Sequence, residues 1–132
     1  MKLITESLTA KLLANGRAQR AAMDKGADAL DFNPVVKLFT PDAQCTWLLT
    51  ELDPDGDLAF GLCDLGMGEP ELGYVSLIEL QSVRGKLGLP IERDLHFVAN
   101  KTISAYTEEA RATRRIVAQR DFGRLIRGAL PL

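Results

Sequence analysis

The stretch from Cys45 to Cys63 limits the possible folds more than any other part of the chain. Two apolar, strand-prone runs, Cys45-Thr46-Trp47-Leu48-Leu49-Thr50-Glu51-Leu52 and Leu58-Ala59-Phe60-Gly61-Leu62-Cys63, flank Asp53-Pro54-Asp55-Gly56-Asp57. Proline presets one backbone angle and Asp-Gly supplies the tight reversal, so the segment predicts a β-hairpin. Alternation along the first run puts Trp47 and Leu49 on one face and Leu48 and Leu52 on the other. Both faces of the sheet are therefore partly apolar, and each needs at least partial cover.

The remaining elements can supply it. Thr5 reads as the N-cap of a first helix, with Leu8, Leu12 and Leu13 as its apolar stripe and Asn15-Gly16 as its stop. Residues 17–33 read as a second short helix or an ordered loop: Arg17 to Met23 favours helix, and Lys25-Gly26-Ala27-Asp28 breaks it. Pro34 to Thr40 reads as a strand closed by Pro41-Asp42. Leu65 to Pro70 is a loop, and Leu72–Val75 and Leu95–Val98 add two strands. Between those strands Ser76 and Glu79 form a capping box, Val75 and Leu80 a hydrophobic staple, and Leu77, Leu80 and Val83 one face of a short helix. Gly85 reads as its left-handed stop. Thr102-Ile103-Ser104 opens a last helix, with Tyr106, Ala110 and Val117 in its stripe and Ile103 and Ile116 nearby. The expected class is α+β: an antiparallel sheet of about four or five strands with N-terminal, middle and C-terminal helices. One domain over residues 1–119 and a basic tail at 120–132 are expected.

Charge is unevenly spread. Residues 1–100 carry 9 basic and 15 acidic groups and residues 101–132 carry 7 basic and 3 acidic, so a body of −6 precedes a segment of +4. No apolar run approaches the roughly 20 residues of a membrane span, and the first residues lack the pattern of a signal peptide. A cytoplasmic protein with no membrane partner is the expectation. Cys45 and Cys63 have no second Cys or His at metal-ligand spacing, so they read as reduced, small apolar strand residues.

Few motifs carry chemistry. Asp53, Asp55 and Asp57 alternate like a calcium loop, but Leu58 and Asp64 stand where that loop requires Gly and Glu. Glu92-Arg93-Asp94-Leu95-His96 sets an acid and an imidazole on or beside one strand, where a carboxylate can orient a histidine. Against that stands a structural histidine with Arg93 in a stabilising ion pair. The chain has no nucleophile motif, phosphate loop or dinucleotide fingerprint, and no cofactor or metal is expected.

Several long motifs, among them Thr46-Trp47-Leu48-Leu49-Thr50-Glu51-Leu52, Glu71-Leu72-Gly73-Tyr74-Val75-Ser76 and Leu87-Gly88-Leu89-Pro90-Ile91-Glu92-Arg93-Asp94, resemble a bacterial family. It is the family catalogued as domain of unknown function 2958, and the resemblance covers nearly all of residues 1–117. It implies no activity. It implies a setting: members look like passengers of plasmids, integrative elements and phages, often near conjugation or anti-restriction genes.

Three readings of function follow. The leading one is a non-enzymatic interaction module that binds a protein partner, or a second copy of itself, with Trp47, Glu51, Arg84, Arg93 and His96 as candidates for one shared pocket. The second is nucleic-acid binding through Arg111, Arg114, Arg115, Arg120, Arg124 and Arg127, which would weaken steeply with salt. The third is an enzyme centred on Asp94 and His96.

Overall fold

The computed structural model describes residues 3–118. The elements are α1 (Glu6–Asp24), β1 (Val36–Phe39), β2 (Thr46–Leu52), β3 (Leu58–Asp64), β4 (Glu71–Ser76), α2 (Leu77–Ser82), β5 (Glu92–Arg93) and α3 (Ile103–Thr113). They form a five-stranded sheet in the order β4-β3-β2-β1-β5, antiparallel at each pairing. The class is α+β, with helices at the beginning, middle and end as the sequence predicts.

β2 and β3 make the hairpin. Gly56 takes φ +76° in its turn, and the Asp53 N–H donates to the Leu58 carbonyl at 2.9 Å. The strict alternation expected for β2 fails at Thr50. Leu49 opposes Gly61 and Glu51 opposes Phe60, which leaves Thr50 as the extra residue of a β-bulge. A bulge reverses the facing of everything after it. Leu52 therefore joins Trp47 and Leu49 in one core instead of sharing a face with Leu48. Thr50 is fully buried, and its hydroxyl donates to the Phe60 carbonyl at 3.3 Å.

The first helix explains why the bulge is held. α1 does not stop at Asn15-Gly16 but runs on to Asp24, taking in the helix-prone start of residues 17–33 and leaving 25–33 as turn and loop. Asn15 Nδ2 donates to the Thr50 carbonyl at 2.9 Å. A Cβ on Gly16 would lie 2.1 Å from the Leu52 carbonyl oxygen, so only glycine lets the helix approach there. The Asn-Gly pair is thus a docking point on the sheet. Thr5 caps the helix, accepting from the Leu8 N–H, and Leu12 is fully buried against the sheet.

α2 starts as read, with the Ser76 hydroxyl accepting from the Glu79 N–H at 3.2 Å. Asp57 adds a second anchor by accepting from the Ser76 hydroxyl and the Ile78 N–H. The helix ends at Ser82 with an extended Val83, and Gly85 is not its left-handed cap. Gly85 is needed because the Asp42 carboxylate packs against its backbone and accepts from the Leu87 N–H.

The expected strand at Leu95–Val98 is absent. β5 covers only Glu92 and Arg93, after which Asp94 Oδ1 accepts the His96 N–H at 2.9 Å. That turn bends the chain away and leaves Leu95 and Val98 exposed.

α3 packs across the opposite face from α1. Ile103, Tyr106, Ala110 and Ile116 bury Leu48 and Leu62 there. The helix is shorter than its stripe suggested: Arg114 ends it with φ +65°, so Ile116 and Val117 lie beyond its last turn. Its N-cap, Thr102, makes no capping bond through its side chain. Asp31, 73 residues away in sequence, does the work instead, accepting from both the N–H and the hydroxyl of Ser104. Those bonds hold the Asp31 carboxyl below the usual carboxylate range, although slight burial opposes them. Asp31→Ala is expected to cost about 1 kcal/mol in urea unfolding at pH 7, with Thr102→Ala nearly neutral. Because the Asp31 pKa is depressed, its contribution is present above the ordinary Asp pKa. It fades as pH falls through the folded value, so the two variants should converge in stability in strong acid.

Candidate functional site

α3 covers only the middle of its sheet face. Its two ends border two openings of different character.

At the C-terminal end lies a cleft of about 660 Å³ lined by β1, the loop before β2, the end of β3 and the segment after α3. Its floor holds Lys37 and Asp94, 3.7 Å apart with side chains 3% and 1% exposed. Lys37 reaches this face because strand alternation opposes it to the Val36 and Leu38 side. A buried ion pair is costly to break, about 3–5 kcal/mol when one partner is removed.

Asp64 is the second buried carboxylate of the cleft. Its Oδ1 accepts the Gly66 N–H and its Oδ2 the Ile116 N–H, both at 2.9 Å. It ties the loop after β3 to the segment after α3. With Asp94 accepting from His96 and pairing with Lys37, both carboxylates are committed to the fold. Arg114 and Arg115 line the same cleft and are exposed. Arg114 is the non-glycine residue of positive φ among the described residues. A side chain in that conformation costs about 1 kcal/mol that glycine would avoid.

At the N-terminal end of α3 lies a cavity of about 360 Å³ between β2, β3, β4, the end of α1 and residues 29–32. Glu51, Phe60 and Tyr74 form one cross-strand row along it. The Phe60 and Tyr74 rings are tilted, with centroids 5.0 Å apart. Glu51 faces this cavity because the bulge turns it away from the α1 core. Burial pushes its carboxyl above the usual range, against weaker bonds from Gln19 and Thr50.

The five residues proposed for one pocket are dispersed. Trp47 is buried in the α1 core. Arg84 is exposed and folds back onto the carbonyls of Gln81 and Val83. Arg93 donates to the Leu3 carbonyl at 3.3 Å on the α1 side. His96 is exposed in its turn, bonded to Asp94 through its N–H, and does not line the cleft that holds Asp94. Glu51 alone of the five faces either opening. Of the arginines, Arg114 and Arg115 meet at the cleft, Arg111 is exposed on α3 away from it, and Arg120, Arg124 and Arg127 lie outside the described residues. Lys37 and Asp64 escaped sequence reasoning. Their signal was a lone charge inside or closing an apolar strand.

Among the described residues, no group of three or more His, Cys, Asp or Glu side chains is placed to hold a metal ion. No described helix is long and apolar enough to cross a membrane. Burial raises the Cys63 thiol to about 11, which keeps it protonated and unreactive at neutral pH.

Residues 3–117 match a family described as a protein of unknown function, DUF2958, and the chain belongs to that family. Comparison with curated proteins and with solved structures finds no match to either.

The raised Glu51 pKa has a measurable consequence. A carboxyl whose folded pKa lies above its unfolded value destabilises the fold when ionised, and that penalty disappears as pH falls through the folded pKa. Glu51→Gln keeps the shape and removes the charge. The variant should be more stable than the wild type at pH 7, with the difference shrinking toward pH 4 in thermal unfolding. A constant difference across that range would show that ionisation is not the cause.

Proposed function

We propose that the protein is a binding module that recognises an acidic segment of a partner protein through the Arg114 and Arg115 cleft. The observation that carries this reading is Arg114. A helix ends there in a conformation that glycine would adopt at lower cost, yet the chain keeps an arginine that lines the cleft. Strain of this kind persists where the side chain is needed.

The rest of the cleft supports the same chemistry. Asp64 and Asp94 are occupied by backbone N–H groups and by Lys37, so they add structure more than they repel an incoming anion. The guanidinium groups at the rim can each grip a carboxylate through two parallel bonds. A discrete anion suits this layout better than a long polyanion, because the body of the chain is acidic and Lys101 is already paired with Glu109 at 2.8 Å. The setting that the family resemblance implies favours a partner encoded by a host cell or by a mobile element.

The test is calorimetric titration of the full chain with an acidic decapeptide and, separately, with a single-stranded oligonucleotide. Peptide binding is expected, and Arg115→Ala and Arg114→Gly should each weaken it by about tenfold. Arg114→Gly should at the same time leave stability unchanged or raise it by up to about 1 kcal/mol. Unchanged peptide affinity in both variants would refute the proposal. Tighter binding of the oligonucleotide than of the peptide would refute it in favour of a nucleic-acid partner.

A further inference from the structure

The outer side of β4 supports a second site, independent of the arginine cleft. β4 ends the sheet, and no described strand pairs with that side. The Leu77 N–H donates to the Asp57 carbonyl at 3.0 Å, which fixes the alternation of bonds along the antiparallel β3–β4 ladder. Glu71, Gly73 and Val75 turn their N–H and C=O groups toward β3, and Leu72 and Tyr74 turn theirs outward. Exposed edges are usually guarded by lysine, proline or a bulge. Within β4, Glu-Leu-Gly-Tyr-Val-Ser has none of these, and its full length pairs in regular register with β3.

Gly73 is a second observation at the same edge. A glycine inside a strand weakens it and often marks a place where another backbone comes close. Gly73 has no positive φ, and a Cβ on it would meet nothing within 4 Å beyond its chain neighbours. Neither its backbone angle nor packing among the described residues requires a glycine there. On the other face of the strand Leu72 is 39% exposed and Tyr74 63% exposed.

Charge narrows the choice of occupant. From Leu38 to Val83 the chain carries nine carboxylates and no lysine, arginine or histidine. Glu71 is exposed and shares the face of Gly73, two positions away. A second copy of β4 would bring two such acidic runs together, whereas a basic strand is attracted by this one.

We propose that the open edge of β4 pairs antiparallel with an extended segment of a partner protein that carries an aromatic residue opposite Gly73 and a lysine or arginine opposite Glu71. Backbone bonds to Leu72 and Tyr74 supply affinity in this mode of recognition, and the side chains supply specificity. Residues facing Gly73 and Glu71 fall at the positions without hydrogen bonds, where Cα atoms come within about 4.5 Å. The ring covers the bare glycine, and the cation stands directly across from Glu71 on the neighbouring strand.

The experiment combines amide hydrogen exchange with a nuclear magnetic resonance titration of the full chain. The probe is a capped octapeptide, Thr-Thr-Val-Phe-Val-Lys-Thr-Thr. Its three counterparts have Phe replaced by Ala, Lys replaced by Glu, or both Val nitrogens methylated. Before peptide is added, the Leu72 and Tyr74 amides should exchange much faster than that of Gly73, and the probe should slow both. It should bind about fivefold more tightly than the alanine counterpart and about tenfold more tightly than the glutamate counterpart, and the methylated peptide should not bind. Gly73→Thr suits a strand and meets nothing in the chain, so it should fold and cut the preference for Phe over Ala to less than about twofold. No added protection at millimolar probe would overturn the proposal, and so would any counterpart that binds as tightly as the probe or an unchanged preference in Gly73→Thr. Leu72 and Tyr74 amides as slow as that of Gly73 in the peptide-free chain would overturn it in favour of an edge held by residues 119–132 or by a second copy. Shifts confined to the Arg114 and Arg115 cleft would overturn it as well, without touching the reading of that cleft.

Discussion

The docking of α1 on the bulge of β2 is the contact on which the rest of the structure depends. Asn15 bonds the Thr50 carbonyl, and Gly16 admits the Leu52 carbonyl into van der Waals range of the helix backbone. The bulge they hold decides which way the end of β2 faces. Leu52 turns into the α1 core, and Glu51 turns out of it. Without the extra residue, the carboxylate would point into an apolar layer and the leucine into the cavity. Burying an unpaired carboxylate in such a layer costs several kcal/mol. The same local irregularity thus completes one core and arms the opposite face.

A second constraint follows from the sheet itself. Its central strands are apolar on both sides, so both sides need cover. α1 runs 19 residues and covers its side with help from α2. α3 has 11 residues and covers only Leu48, Leu62 and their neighbours. What it leaves uncovered at either end are the two openings. One end is cationic because Arg114 and Arg115 follow the helix. The other is aromatic and acidic because β3 and β4 meet Glu51 there. Charged groups of opposite sign therefore stand at the two ends of one sheet face.

Much of this was legible in the residues. The hairpin, the Ser76 cap, the Thr5 cap and the first four strands follow from short-range chemistry, and short-range chemistry is what a sequence displays. The failures have a common cause. Asn15-Gly16 carries the signature of a helix stop, but a tertiary contact overrides it. Gly85 looked like a left-handed cap, yet it is required by Asp42, 43 positions earlier in sequence. Thr102 opens α3 as read, but its side chain makes no capping bond, and Asp31 supplies one from 73 positions before Ser104. The site residues suffered the same way. Trp47, Arg84, Arg93 and His96 are unusual residues in the sequence, but each is absorbed locally by core, backbone or solvent. Lys37 and Asp64 looked unremarkable and became the floor and the clasp of the cleft, because a register two strands wide brings them together. Of the candidate binding residues, Glu51, Arg114 and Arg115 line the two openings.

The most direct measurement is to follow the side-chain Nε–H signals of Arg114 and Arg115, with the Ile116 amide, while an acidic peptide is added to the full chain. The account predicts saturable shifts at all three and none at Phe60 or Tyr74. Saturable shifts elsewhere, with the two arginine signals unmoved, would contradict it.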